Sequence, residues 1–479
     1  MEESPTCLEE RLTGMWDNLF KRGDIHEMSV KFIEDEADIL AFFPETLRFF
    51  NVNQITKSLI EKVDNGIPYQ ELNMDNVTEE EYNTIKKIVE ECSRNIPLEE
   101  KYGERQLAKF ILNITNKCNL RCEYCYANGG NYQSEEGIMS EQVAKQALDR
   151  FFEEYDYIRV IQIFGGEPTM NLPLIRFICE YVRKKNEGLD RKIDVGIVTN
   201  GTLFTDEFIS IVKEYKLFVT VSYDGNPKVN DKMRKYKGGK GTSDIILKNM
   251  KKLKEETGCL GMIEVTYNQH HVEEGIHIMD IINFIHEQLG NVPLHIVPTA
   301  GSNDLDYILN DREEFAKAVD EIFAVKKEGK EINDYLFLLV ERILQDFMTK
   351  KCSKYICEAG TKAYAVSTKG NVYPCFIMTD EEEHVMGNVF DEDLFTSEQF
   401  QRIREKYERF NKEINEECKQ CFARMCCHGC LGLNHLETGN SFLLSEMTCE
   451  MTRMMTERVV VNLYRCSKAG NDADRNSVS

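Results

Sequence analysis

The sequence lacks the features that would send it through or across a membrane. Its 479 residues contain no apolar run of about eighteen, the least a membrane-spanning helix needs. The first residues, MEESPTCLEERL, are acidic and carry no apolar stretch, so they do not read as a secretory signal. A cytoplasmic location is expected. Positive charge is also short: 59 Lys and Arg stand against 82 Asp and Glu, a net charge of −23. Phosphate binding needs clustered Lys and Arg, so nucleic acid is not expected as the partner. No internal repeat appears. Apolar residues make up 42 %, enough for an ordinary globular core.

What the chain has in excess is cysteine, 17 in all. Without secretion these do not read as disulfides; clustered cysteines in a cytosolic chain read as metal ligands. Three fall between Cys118 and Cys125, and nine between Cys352 and Cys449. Cys7, Cys92, Cys179, Cys259 and Cys466 are scattered and read as ordinary small side chains.

The first hundred residues suggest a small module. Apolar runs at Ser29–Ile33 and Asp38–Phe43 suit a hairpin. Helices are expected at Asn53–Val63 and Glu79–Cys92, the second with a capping box of Thr78 and Glu81. Hairpin then helices is the outline of a winged helix. From Phe110 to Pro298, short β-rich runs alternate with amphipathic stretches. The strand candidates are Phe110–Thr115, Ile158–Phe164, Ile193–Thr199, Leu217–Ser222, Met262–Tyr267 and Leu294–Val297. Ser140–Tyr155 is one of the helices between them. Such alternation implies a parallel sheet with right-handed crossovers, here an α/β partial barrel of six units, whose chemistry belongs on the loops after the strands. Two helices follow, near Glu313–Lys327 and Asn333–Thr349. The region from Cys352 to Cys449 has few periodic segments, so metal sites replace much of a core there. A helix near Met451–Tyr464 and a polar, disordered tail from Ser467 complete the chain. The expected domains are 1–100, 101–345, 346–466 and the tail 467–479.

Directly after the first strand, Cys118, Cys122 and Cys125 form C-x3-C-x2-C. Three thiolates on one loop can hold three irons of a [4Fe–4S] cluster and leave the fourth open. Zinc would want a fourth protein ligand. This loop, with Tyr124 before its last cysteine, resembles that of the radical S-adenosylmethionine (SAM) enzymes. Gly165-Gly166-Glu167-Pro168 follows the second strand, Thr199-Asn200-Gly201 the third, and Ser222-Tyr223-Asp224-Gly225 the fourth, with Asp231 and Arg234 shortly after. The last stretch resembles that of the family's peptide-modifying members. The resemblance covers about residues 108–300. It implies SAM on the open iron and reductive cleavage of SAM to a 5′-deoxyadenosyl radical that takes hydrogen from the substrate. It also implies Tyr124, Gly165, Gly166, Glu167, Asn200, Ser222, Asp224 and Arg234 as residues around SAM, with Glu167 balancing its amino group. No catalytic base stands out.

Cys357-x12-Gly370-x4-Cys375 resembles the start of an SPASM extension, which carries two auxiliary [4Fe–4S] clusters and so makes three in all. By that resemblance one takes Cys352, Cys357, Cys375 and Cys430, and the other Cys418, Cys421, Cys427 and Cys449. Cys426 and Cys427 compete for one ligand position, and Cys427 is favoured. If Cys352 does not bind, the first cluster has an open iron that a substrate thiolate can occupy. His428 and His435 are read as neither ligands nor acid–base groups. The alternative is a zinc-ribbon-like or redox-sensing protein on Cys418-x2-Cys421 and Cys427-x2-Cys430. The N-terminal module resembles a recognition element for the leader of a ribosomally made precursor peptide, which adds a strand to a sheet edge. Together these resemblances imply a thioether-forming maturase of the sactipeptide or ranthipeptide type, served by a small electron donor such as flavodoxin or ferredoxin. C–C crosslinking and formylglycine-forming sulfatase maturation are the other peptide modifications in view.

Overall fold

The computed structural model describes residues 29–477 apart from 95, 133 and 303, with side chains described up to residue 469. Cys7 lies outside the described residues. The chain divides into two compact units, one ending at Asn95 and one running from Ile96.

In the first unit, β1 (Lys31–Asp35) and β2 (Asp38–Phe43) pair antiparallel, with Asp35 opposite Asp38. Glu36 makes the turn with φ +53°. A third strand that the sequence did not suggest, β3 (Arg48–Val52), pairs with β2. It is short and half exposed, and its RFFNV pattern does not alternate. Helices Gln54–Asp64 and Glu79–Cys92 follow. Thr78 and Glu81 cap the second reciprocally, which satisfies two end donors at once. Ala41 and Phe43 of β2 meet Ile60, Val89 and Cys92 in a small core.

The second unit is built on one nine-stranded sheet. Six of these strands are parallel and sequential: β4 (Gln106–Asn113), β5 (Tyr157–Phe164), β6 (Asp194–Thr199), β7 (Phe218–Ser222), β8 (Leu260–Tyr267) and β9 (Leu294–Pro298). Helices lie between them because each sequence gap carries an apolar stripe. In Glu141–Glu154, for example, Ala144, Ala147, Leu148 and Phe151 are buried, and Ser140 caps the start. Phe110 of β4 stacks on Phe151 at 4.0 Å.

The cysteine-rich region contributes the remaining strands, which periodicity did not reveal. β10 (Ala363–Val366) pairs parallel with β4, and β11 (Asn371–Tyr373) and β12 (Gly387–Asn388) extend the edge antiparallel. They are two to four residues long, too short to show alternation. The final helix is Glu446–Ser477, so it continues past Ser467, where a disordered tail was expected. No proline interrupts it, and Val459, Val460 and Val461 anchor its middle in the core. Among the described residues, no helix is long and apolar enough to cross a membrane.

Candidate active site

Cys118, Cys122 and Cys125 lie on the loop after β4. Their sulfurs bear on one another: Cys118 feels Cys122 and Cys125, and Cys122 feels Cys125. Burial, with the Glu167 carboxylate next, pushes the Cys118 thiol up to about 12. Burial pushes Cys122 up to about 11, against the pull of Arg234. The Leu120 N–H donates to Cys118 Sγ at 3.4 Å and the Gly129 N–H to Cys125 Sγ at 3.2 Å. Three half-buried thiols on one loop, two of which accept N–H bonds, favour a cationic metal centre in place of their protons. This donor set fits a [4Fe–4S] cluster with one iron open.

The glycines after β5 are required by packing. A Cβ on Gly165 would sit 2.4 Å from Thr115 O, and one on Gly166 2.4 Å from Lys117 O. The Gly166 and Glu167 N–H groups donate to those same two carbonyls, each at 2.7 Å. The two glycines thus let this turn pack directly on the cysteine loop. Glu167 is fully buried and already satisfied. It accepts from Thr169 N and Oγ1, Thr199 Oγ1 and Asn200 N at 2.5–3.0 Å. It ties the β5 and β6 loops together. Asn200 reaches Asn119 at 2.9 Å and Cys118 Sγ at 3.8 Å.

Tyr124, Asp224 and Arg234 form one buried group. The Tyr124 hydroxyl donates to the Asp224 carboxylate at 2.7 Å and accepts from Arg234 Nη1 at 2.7 Å. Burial pushes the Asp224 carboxyl up, while Arg234 and His271 oppose that. Arg234 Nε is buried with no hydrogen-bond partner. An orphaned guanidinium N–H beside Cys122 suits an anionic occupant of this loop. Ser222 ends β7, level with Glu264 of β8.

The cysteine-rich region sorts itself into three groups. Cys430 bears on both Cys357 and Cys375. Cys427 bears on Cys418, Cys421 and Cys449. Cys352 is fully buried, and burial pushes its thiol up to about 11, with the Asp346 carboxylate next. Asp346 and Cys352 also act on Cys426. Cys427 thus sits with Cys418, Cys421 and Cys449, and Cys426 lies near Cys352. His428 bonds Asp346 at 2.7 Å.

Several residues with no motif join these groups. Lys109 of β4 bears on Cys375 and Cys430. Glu264 of β8 lies 3.4 Å from His295 of β9. Burial pushes its carboxyl up, but His295, Arg234 and Lys109 outweigh that and leave it low. Tyr126 and Tyr132 each feel both Cys125 and Cys375. Asp380, at φ +65°, accepts from Asn116 Nδ2 at 3.2 Å and Ser134 Oγ at 2.7 Å. It locks the segment after Cys375 to the first cysteine loop. Only the inward face of β4 and β8 could have signalled Lys109 and Glu264; Asp380 is hidden in a charge run that reads as solvated.

Residues 112–279 match the radical SAM superfamily, and residues 357–422 match the SPASM iron–sulfur cluster-binding domain. The chain carries a radical SAM domain followed by an SPASM domain. It is 26 % identical over 348 residues to a cysteine-type anaerobic sulfatase-maturating enzyme of Clostridium novyi, covering 68 % of this chain and 88 % of that protein. It is 25 % identical over 382 residues to the radical SAM cyclopropyl synthase TigE of Paramaledivibacter caminithermalis, covering 75 % and 76 %. An uncharacterized protein of Methanocaldococcus jannaschii is 36 % identical over 160 residues, 33 % of this chain and 53 % of that protein, so the chain spans about half of that relative. In fold, the radical SAM–SPASM chain is similar to anSMEcpe with bound AdoMet and the Cp18Cys peptide, with a TM-score of 0.63 at 20 % identity over 76 % of this chain and 99 % of that one.

Proposed function

We propose that this chain modifies a ribosomally made precursor peptide by installing thioether links from a cysteine sulfur to a carbon. The observation that carries this reading is the grouping of Cys430 with Cys357 and Cys375, and the reading takes these three, without Cys352, as the ligands of one auxiliary cluster. Three thiolates leave one iron of an auxiliary cluster open to a donor thiolate. Lys109, beside Cys375 and Cys430, stabilises negative charge there. A [4Fe–4S] cluster on Cys118, Cys122 and Cys125, with SAM bound, supplies hydrogen-atom abstraction. The chain's own groups do the rest. Tyr124, Asp224 and Arg234 hold the cysteine loop, Gly165 and Gly166 set its depth, and Tyr126 and Tyr132 fill the space toward Cys375. Overall a C–H and an S–H bond would be exchanged for a C–S bond, with SAM as the oxidant: its cleavage to methionine and 5′-deoxyadenosine takes up the two electrons and one hydrogen, and the other hydrogen leaves as a proton.

The first unit fits a leader-binding role. Among the described residues β3 is an edge strand and presents Phe50, 41 % exposed, which suits strand addition. Phe50→Asp should weaken binding of a labelled precursor roughly tenfold by fluorescence anisotropy, the loss expected for an interfacial aromatic anchor.

The test is mass spectrometry of a cysteine-containing precursor encoded beside the gene and co-expressed with the protein. A product two hydrogens lighter per link, with its cysteine closed to alkylation, supports the thioether. The similarity to sulfatase-maturating enzymes favours a second reading, formylglycine formation. That would leave an aldehyde and no crosslink. A C–C link would leave the cysteine open to alkylation and would sink the thioether reading while keeping a peptide substrate.

A further inference from the structure

The segment after Cys375 carries a second set of metal-type donors that the iron–sulfur groups do not use. Two short 3-10 turns, Phe376–Met378 and Glu382–His384, fold it back on itself. This brings Glu381 and His384 against His435, on the helix Leu431–Thr438 that follows Cys430. One donor atom from each residue can be chosen so that all lie within 4.8 Å of one another. His435 Nε2 lies 2.9 Å from Glu381 Oε1, and His384 Nε2 lies 3.6 Å from Glu381 Oε2. The two imidazoles meet edge to face at 5.4 Å.

The far side of His384 packs on Tyr407, which is buried and whose hydroxyl lies 3.3 Å from Met378 Sδ. His384 Nδ1 lies 3.4 Å from the same oxygen. With the ring hydrogen on Nδ1, His384 Nε2 presents a lone pair. That nitrogen is buried and has no hydrogen-bond partner. Its neighbours are carboxylate oxygens, of Glu381 at 3.6 Å and of Glu383 at 3.5 Å. A cation placed between these oxygens and the buried His384 nitrogen gives that nitrogen the partner it lacks. His384 also lines a cavity of about 420 Å³ whose wall includes Arg402, Lys406, Tyr407 and Ser441.

We propose that Glu381, His384 and His435 bind one divalent first-row transition ion, with its remaining coordination positions open toward this cavity. Two imidazoles and a carboxylate are a ligand set suited to zinc or ferrous iron. Arg402 and Lys406 suit a small anion as the exchangeable ligand. The ion joins the segment after Cys375 to the helix after Cys430, and so braces two of the three sulfurs in the neighbouring group. The site uses no cysteine and is independent of which peptide the protein modifies.

Zinc is the probe. The full chain, reconstituted anaerobically with iron and sulfide, is loaded with zinc chloride, desalted and analysed for metals. Wild type should retain about one zinc beyond its iron, and His384→Ala/His435→Ala should retain none at the same iron content. Zinc K-edge absorption on the loaded wild type should show nitrogen and oxygen neighbours near 2.0–2.1 Å with imidazole scattering. This second measurement stands even if the variant folds poorly. A wild type that keeps no zinc overturns the proposal, and would mean that a shared proton balances the cluster. Equal zinc in the variant, or a sulfur shell near 2.3 Å, overturns it equally.

Discussion

A single tyrosine hydroxyl links the first cysteine loop to the strand ends around it. Tyr124 donates a hydrogen bond to Asp224 and accepts one from Arg234. Asp224→Asn keeps the shape but removes the charge that both neighbours answer. A buried charged hydrogen bond contributes about 1.5–3 kcal/mol. The variant should therefore lose SAM affinity by calorimetry and shed iron from the first group on dilution, while the iron of the other groups stays. Cysteine variants offer a sharper contrast. Cys357→Ala should cost about four irons, whereas on the proposed function Cys352→Ala should leave the iron count unchanged. An equal loss from both would return Cys352 to the first auxiliary cluster. The three radical-site cysteines were legible from spacing alone. Spacing could not tell Cys426 from Cys427, because one residue of slip is invisible without the fold. It could not tell that Cys352 faces Asp346, because those residues are joined by the packing of a helix and not by a motif.

At the scale of elements, the six parallel strands and most helices were legible because each carries a long enough apolar period. The capping box of Thr78 and Glu81 was legible for the same reason: it is local. Thr78→Ala should lower the stability of the first unit by about 1 kcal/mol, read as a lower melting temperature in a chain cut after residue 95 if that unit folds alone, and otherwise as faster amide exchange in Glu79–Cys92. What sequence pattern missed is short: β3, β10, β11 and β12. None is longer than five residues, so their pairing is decided by the neighbours they meet. Nor could pattern show that Glu167 accepts four hydrogen bonds from Thr169, Thr199 and Asn200, because two of these residues lie on a loop distant in sequence.

For the whole molecule, the decisive contact is the parallel pairing of β10 with β4. It makes the cysteine-rich region part of the barrel's own sheet. A chain ended at residue 351 would bare the β4 edge, with Phe110, Ile111 and Leu112, all buried in the full chain. Exposed edge strands pair with other chains, so this truncation should elute as aggregate in size-exclusion chromatography where the full chain does not. A soluble monomer would show that the barrel closes its edge in another way.

The same pairing has a consequence for electron flow. Cys118 follows β4, and Cys357 and Cys375 flank the β10–β11 hairpin, so hydrogen bonds at fixed pitch connect the loops that carry them. Tunnelling rates fall steeply with distance, and a hinge between the two regions would make the rate fluctuate with every opening. Here the strands that flank the two groups share one sheet, so on the proposed function an electron leaving the substrate would meet a path whose length the sheet holds steady.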